Sequence, residues 1–133
     1  MKYFFSLLLF FGCLQAEECD YDFVGKHFIA SYYGCSDSAI LDRAKLQGVM
    51  VEAAKASGAT VLDHSNFHFE EGGYTLVILL SESHASIHTY PEHHACFIDL
   101  FTCGDRCSYE KFHRVLAEYL QPVDSHFQII ERS

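Results

Sequence analysis

Two rhythms of apolar positions run along the chain, one with the period of a strand and one with the period of a helix. The segment His27 to Tyr33 is rich in aromatic and aliphatic residues and predicts a strand. Leu46, Val49, Met50, Ala53 and Ala54 then recur at i, i+3, i+4, i+7 and i+8, which lays one apolar stripe along a helix. The hydroxyl of Ser36 or Ser38 can open that helix by accepting a first-turn amide, and Gly58 can end it. Two strands are predicted next, Thr60 to Leu62 and Tyr74 to Leu80, separated by a polar stretch whose turn signal is Glu70-Glu71-Gly72-Gly73. Between His84 and Tyr90 the alternation puts His84, Ser86, His88 and Tyr90 on one face of a regular strand. Ala95 to Phe101 is a further strand. Ser108 opens a second helix with the stripe Phe112, Val115, Leu116, Tyr119 and Leu120, Pro122 follows its end, and Phe127 to Ile130 supplies a last strand.

This order predicts an α+β fold, a two-layer sandwich of an antiparallel sheet with two helices on one face. The other sheet face is left without cover and carries aromatic residues. Two copies pairing through it would give a four-layer assembly, so a homodimer is expected.

Composition narrows the class. At 133 residues, half of them hydrophobic and a fifth charged, the chain suits one domain with a real core. Eighteen acidic residues against nine basic ones give a formal charge of -9, and no basic cluster is present. Nucleic-acid binding is therefore not expected, because phosphate affinity needs concentrated positive charge.

The N-terminus stands apart. Met1-Lys2 precedes an apolar run from Tyr3 to Leu14 with Ala16 after it, a signal-like hydrophobic segment over 1–16. A retained extension or a misplaced start codon would leave the same pattern. An acidic linker over 17–24 leads into a single domain over 25–133. Of six cysteines (Cys13, Cys19, Cys35, Cys96, Cys103, Cys107), five stay after removal of 1–16, an odd number that leaves at least one free thiol in a monomer.

Reactive side chains crowd into 81–104, which reads Ser-Glu-Ser-His-Ala-Ser-Ile-His-Thr-Tyr-Pro-Glu-His-His-Ala-Cys-Phe-Ile-Asp-Leu-Phe-Thr-Cys-Gly. His84 with His88, or His93 and His94 with Cys103 and Cys107, offer zinc-type ligands. No second Cys-x-x-Cys and no His-Glu-x-x-His completes a set, so no metal is expected. A Cys-His-acid hydrolase is equally unsupported by any spacing.

As a whole, the block resembles the processing and active-site region of the prokaryotic S-adenosylmethionine decarboxylases. The resemblance is carried by Glu-Ser-His-x-x-Ile-His-Thr-Tyr-Pro-Glu over Glu82 to Glu92 and by Asp-Leu-Phe-Thr-Cys-Gly over Asp99 to Gly104. Weaker likeness at Gly25-Lys26-His27, Tyr33-Gly34-Cys35 and Gly58-Ala59-Thr60-Val61 extends it over about 25 to 133.

The resemblance implies self-cleavage between Glu82 and Ser83, giving a β chain 1–82 and an α chain 83–133. In that chemistry Ser83 Oγ attacks the Glu82 carbonyl and turns the peptide into an ester, helped by enforced proximity. His88 then takes the Ser83 α-proton, as an imidazole near neutrality can. Elimination frees the Glu82 carboxylate and leaves dehydroalanine, which hydrolyses to a covalent pyruvoyl group. That cofactor forms a Schiff base with a substrate amine and serves as electron sink for loss of carbon dioxide. Cys103 occupies the place of the cysteine that returns a proton to the α-carbon, a duty suited to a thiol.

Other positions follow from the same likeness. Thr75 stands where a hydroxyl, usually serine, assists processing; its extra methyl stiffens the rotamer and predicts slower maturation. Phe69 matches an aromatic that stacks on adenine, and Glu92 a carboxylate that contacts substrate. Tyr90 sits where tryptophan is frequent, and Glu71 replaces a common proline. Cys96 and Cys107 match no catalytic position and read as buried hydrophobes or disulfide partners. Ser83 and His88 are five apart, so a regular strand would send them to opposite faces; a bend or bulge near 81–84 is expected to bring them together.

The implied small-molecule substrate is S-adenosylmethionine, decarboxylated to the aminopropyl donor of spermidine synthesis. A pyruvoyl decarboxylase of arginine or ornithine, and an uncleaved non-catalytic relative, are the alternatives. The family resemblance implies a cytoplasmic protein and the N-terminal segment implies export, so compartment stays open, as does activation by a polyamine.

Overall fold

The computed structural model describes residues 24–104 and 106–133. The signal-like segment and nearly all of the acidic linker lie outside the described residues. Among those described, no helix is long and apolar enough to cross a membrane.

Six strands form one antiparallel sheet: β1 (Gly25–Tyr33), β2 (Val61–His68), β3 (Tyr74–Leu80), β4 (Ser83–Tyr90), β5 (Ala95–Cys103) and β6 (Asp124–Arg132). Their spatial order is β2-β3-β4-β5-β1-β6. The consecutive hairpins β2 to β5 stack side by side, and β1 is inserted between β5 and β6. Among the described residues, three α-helices, α1 (Asp37–Leu41), α2 (Arg43–Ser57) and α3 (Tyr109–Leu120), accompany the sheet.

The core lies between that helical layer and one sheet face. Phe28 and Tyr32 from β1, Leu76 and Ile78 from β3, Ile87 from β4 and Leu100 from β5 meet Leu46 and Met50 of α2 and Phe112 and Leu116 of α3, all of them fully buried. The expected α+β sandwich with its helices against one face is thus present.

Two local expectations are corrected. A single helix opened by Ser36 or Ser38 was expected after β1, but the chain forms two. Ser36 precedes α1 without a side-chain cap bond, and Asp42 starts α2 by accepting the Lys45 amide at 3.1 Å. A carboxylate at the N-cap interacts with the partial positive charge of the helix start, so Asp42 interrupts the run and reopens it. The end is as expected: Gly58 takes a left-handed conformation at φ 101° and its N–H meets the Ala54 and Lys55 carbonyls, a backbone that glycine adopts without a Cβ penalty.

The second correction concerns the polar stretch after Leu62. It is strand as far as His68, although almost every residue in it is exposed. Apolar alternation is missing there because β2 is an edge strand. Its backbone satisfies the amides and carbonyls of β3, a demand that side-chain pattern does not reveal.

Alternation leaves the second sheet face open. Thr75, Val77 and Leu79 of β3, His84, Ser86, His88 and Tyr90 of β4, and Phe97, Asp99 and Phe101 of β5 lie on it by register.

Candidate active site

Glu82 and Ser83 occupy the turn from β3 into β4, and Glu82 is held from two sides. Its carboxylate accepts the Thr60 amide at 2.9 Å, and its carbonyl oxygen accepts the Cys103 amide at 3.2 Å. Residues 81 and 82 form the bend, and from Ser83 onward β4 pairs without interruption, Ser83 facing Thr102 and His88 facing Phe97 on β5. Ser83 Oγ lies 3.4 Å from Nδ1 of the adjacent His84. The turn therefore presents a carbonyl polarised by a backbone N–H, a hydroxyl one peptide away, and an imidazole beside that hydroxyl.

His88 lies elsewhere. Its Nδ1 is 2.9 Å from Thr75 Oγ1 across the β3–β4 pairing. Together they line a cavity of about 240 Å³ with Phe69, Glu71, Tyr90 and Glu92. Phe69 is steadied edge-on by Phe67, with centroids 4.9 Å apart, and its amide donates to the Gly73 carbonyl at 2.9 Å, which closes the turn beneath it. A wider trough of about 640 Å³ runs from His88 past Phe97 and Asp99 towards β6 on the same open face.

The predicted residues thus separate into two groups. Phe69, Thr75, His88, Tyr90 and Glu92 share one cavity, whereas Glu82, Ser83 and Cys103 meet at the far end of β4 and β5. The expectation that a bend would join Ser83 to His88 is not met. The bend precedes Ser83, and five residues of regular strand separate the two by roughly 16 Å at about 3.3 Å per residue. The odd offset also assigns them by register to opposite faces.

The cysteines divide by environment. Cys35, Cys96, Cys103 and Cys107 are all free thiols. Burial and the nearby Glu82 carboxylate push the Cys107 thiol up, which keeps it neutral. Cys35 and Cys96 are both buried with their sulfurs 3.6 Å apart; the contact raises the Cys96 thiol and lowers that of Cys35. Cys103 is only half-buried and terminates β5 beside Glu82.

The sequence assigned no processing or substrate role to three contributors. Thr60 anchors the Glu82 side chain from 22 residues away, Glu71 lines the cavity, and His84 flanks the Ser83 hydroxyl. Only His84 carried a signal, its place inside the Glu-Ser-His motif.

Comparison with known proteins converges on one group. Residues 26–133 match the family model described as S-adenosylmethionine decarboxylase. The chain belongs to the S-adenosylmethionine decarboxylase family. A relative from Moorella thermoacetica named S-adenosylmethionine decarboxylase proenzyme is 38% identical over 109 residues, covering 82% of this chain and 87% of the relative. Another of the same name from Synechococcus sp. (strain WH7803) is 43% identical over 101 residues, 76% of this chain and 79% of the relative. The crystal structure of the adenosylmethionine decarboxylase from Aquifex aeolicus superposes with a TM-score of 0.70 at 32% identity, covering 83% of this chain and 91% of that one. The Moorella and Synechococcus relatives are proenzymes by name, which fits family membership with a self-processing chain and gives the pinned Glu82–Ser83 peptide its context.

Proposed function

We propose that this chain is a proenzyme that cleaves itself between Glu82 and Ser83 and then decarboxylates S-adenosylmethionine. The observation that carries the reading is the hydrogen bond from the Cys103 amide to the Glu82 carbonyl. Attack by Ser83 Oγ drives charge onto that oxygen, and a donor already aimed at it stabilises the charge without reorganisation. The Thr60 contact to the Glu82 carboxylate fixes the residue that becomes the new C-terminus.

His88 is the base for the Ser83 α-proton, and the Thr75 hydroxyl at its Nδ1 selects the ring orientation. Since one protomer holds these groups far apart, we infer that the reaction site is completed by a homodimer. The cavity of one copy, with Thr75 and His88, would meet the turn of the other that carries Glu82 and Ser83, at the rim of the paired open faces. Exposed Val77, Leu79, Tyr90 and Phe97 on that face favour the pairing.

A pyruvoyl group derived from Ser83 would supply the electrophilic carbonyl and electron sink that no side chain offers. Around it, the Cys103 thiol holds the proton for the substrate α-carbon, Phe69 offers a face for the adenine, and Glu92 with Glu71 gives a carboxylate pair suited to a ribose hydroxyl and a sulfonium charge. The adenosylmethionine reading is preferred to arginine or ornithine because the compared relatives carry that substrate in their names.

Intact-mass measurement of the purified protein tests the reading. Two chains split after Glu82, the second lacking the serine nitrogen and reacting with carbonyl reagents, are expected, with carbon dioxide released from carboxyl-labelled adenosylmethionine. A single uncleaved polypeptide that turns over substrate would refute it.

A further inference from the structure

Three residues to which the proposed reaction assigns no step converge on the open sheet face, one of them the His84 that flanks Ser83. His27 on β1 and His84 on β4 are both in register with Phe101 on the intervening strand β5, and Asp99 lies two residues from Phe101 on the same face. The two imidazoles lean towards each other over β5, with ring centroids 6.2 Å apart. His27 Nε2 is 3.9 Å from Asp99 Oδ2, and His84 Nε2 is 4.0 Å from Asp99 Oδ1. One ligand atom from each of the three residues lies within 4.8 Å of the others.

We propose that His27, His84 and Asp99 form a binding site for a divalent transition-metal ion of the zinc type. Three features carry this. The donor set, two imidazole nitrogens and a carboxylate, is the one that zinc and its neighbours take when three protein ligands leave a position open. The spacing is close: ligand bonds of about 2.0 to 2.2 Å in a tetrahedron put neighbouring donors about 3.3 to 3.5 Å apart, so the two histidine–carboxylate separations of 3.9 and 4.0 Å need to close by roughly half an ångström. Two of the donor atoms, His27 Nε2 and Asp99 Oδ1, are buried without a hydrogen-bond partner, an arrangement that costs free energy unless a ligand satisfies it.

The surroundings favour neutral, metal-ready imidazole. Burial, more than any neighbouring charge, holds His27 below the usual histidine range, with Asp99 opposing and His84 and Arg132 assisting. The Arg132 guanidinium is stacked 4.5 Å from the Phe101 ring.

Coordination would cross-link β1, β4 and β5 at the end of the sheet that holds the scissile peptide. It would also fix the tautomer of His84. With Nε2 on the ion, Nδ1 must carry the proton and donate towards Ser83 Oγ, 3.4 Å away, the usual division of labour between the two nitrogens of a ligating histidine.

The test uses the full-length Ser83→Ala chain, which keeps every ligand and removes processing as a variable. After chelation and dialysis, zinc chloride binding is followed by calorimetry and metal content by mass spectrometry. One ion per chain is expected, with a higher melting temperature in zinc. Cobalt(II) chloride should give the intense visible absorption of a four-coordinate site and be displaced by zinc. His27→Gln and Asp99→Asn should each weaken zinc binding by tenfold or more, and circular dichroism reports whether they remain folded. Should either variant fail to fold, the cobalt spectrum of the parent chain decides. Absence of stoichiometric zinc, a weak six-coordinate cobalt spectrum, or unchanged affinity in both folded variants would overturn the proposal. None of these readouts depends on decarboxylation, so failure here leaves the proposed function untouched, and failure of that function leaves this site untouched.

Discussion

Thr75 Oγ1 lies 2.9 Å from His88 Nδ1 across the β3–β4 pairing, while Ser83, the residue His88 is to deprotonate, lies five positions away along the same unbroken strand. That separation is the ground on which a second copy is proposed to complete the site.

Complementation follows from that separation. Ser83→Ala and His88→Ala chains should each remain uncleaved when produced alone. Co-produced, they should form mixed dimers in which the His88→Ala chain presents its Ser83 to an intact His88, so that chain should be cut while its partner stays whole. Gel analysis with distinguishable tags reads this, and no cut chain in the mixture would argue against a shared site.

The proposed reading gives the backbone and side chain of Cys103 separate duties. Cys103→Ala keeps the amide that donates to the Glu82 carbonyl, so self-cleavage should proceed within a few-fold of normal. Turnover should fall by about 10²- to 10⁴-fold, the range for loss of a positioned proton donor. Cleavage kinetics by gel and kcat on the processed protein separate the two effects; an uncleaved Cys103→Ala chain would move the thiol into the processing step.

The proposed reading gives Phe69 a part in binding more than in chemistry. Base–aromatic stacking contributes about 1 to 3 kcal/mol, so Phe69→Ala should raise KM for adenosylmethionine by about tenfold or more with kcat changed much less. Loss of Phe67 support at the same edge should act in the same direction and more weakly. Steady-state kinetics on both variants checks the order.

Acid should loosen the α3 layer. Burial lowers the pKa of His113, whose Nδ1 sits 2.5 Å from the buried Tyr32 hydroxyl and whose ring meets Phe28 and Phe127; Glu110 lies nearby on the same helix. Between the lowered folded value and the ordinary value near 6.5 the unfolded chain binds more protons, so stability rises with pH across that window and is lost as pH falls through it. Chemical denaturation from pH 7.5 to 5 should show this decline, and His113→Phe, less stable at neutral pH for want of the Tyr32 bond, should show a shallower one. Equal slopes would remove His113 as the cause.

Local patterning carried much of the fold. The stripes Leu46 to Ala54 and Phe112 to Leu120 and the alternation through β3, β4 and β5 encode burial directly, because a residue's face follows from its period. Edge strand β2 and the division at Asp42 were not legible in that way. The first depends on what β3 needs from a neighbour, and the second on a carboxylate competing for a helix start inside an otherwise continuous run.

The chemistry followed the same division. Glu82, Ser83, His88 and Cys103 were legible as types because they sit in one contiguous, specific stretch. Their separation into two groups was decided by register, since pairing along β4 fixes the distance between residues 83 and 88 whatever the reactivity of their side chains. The cluster of His27, His84 and Asp99 was invisible to spacing, because its members come from three strands that only the order β4-β5-β1 places side by side. Sequence alone determined most of the elements and which reactive groups are present, since both depend largely on neighbours within a few residues. Tertiary structure decided which of those groups can touch, because contacts between strands are set by pairing partners remote along the chain.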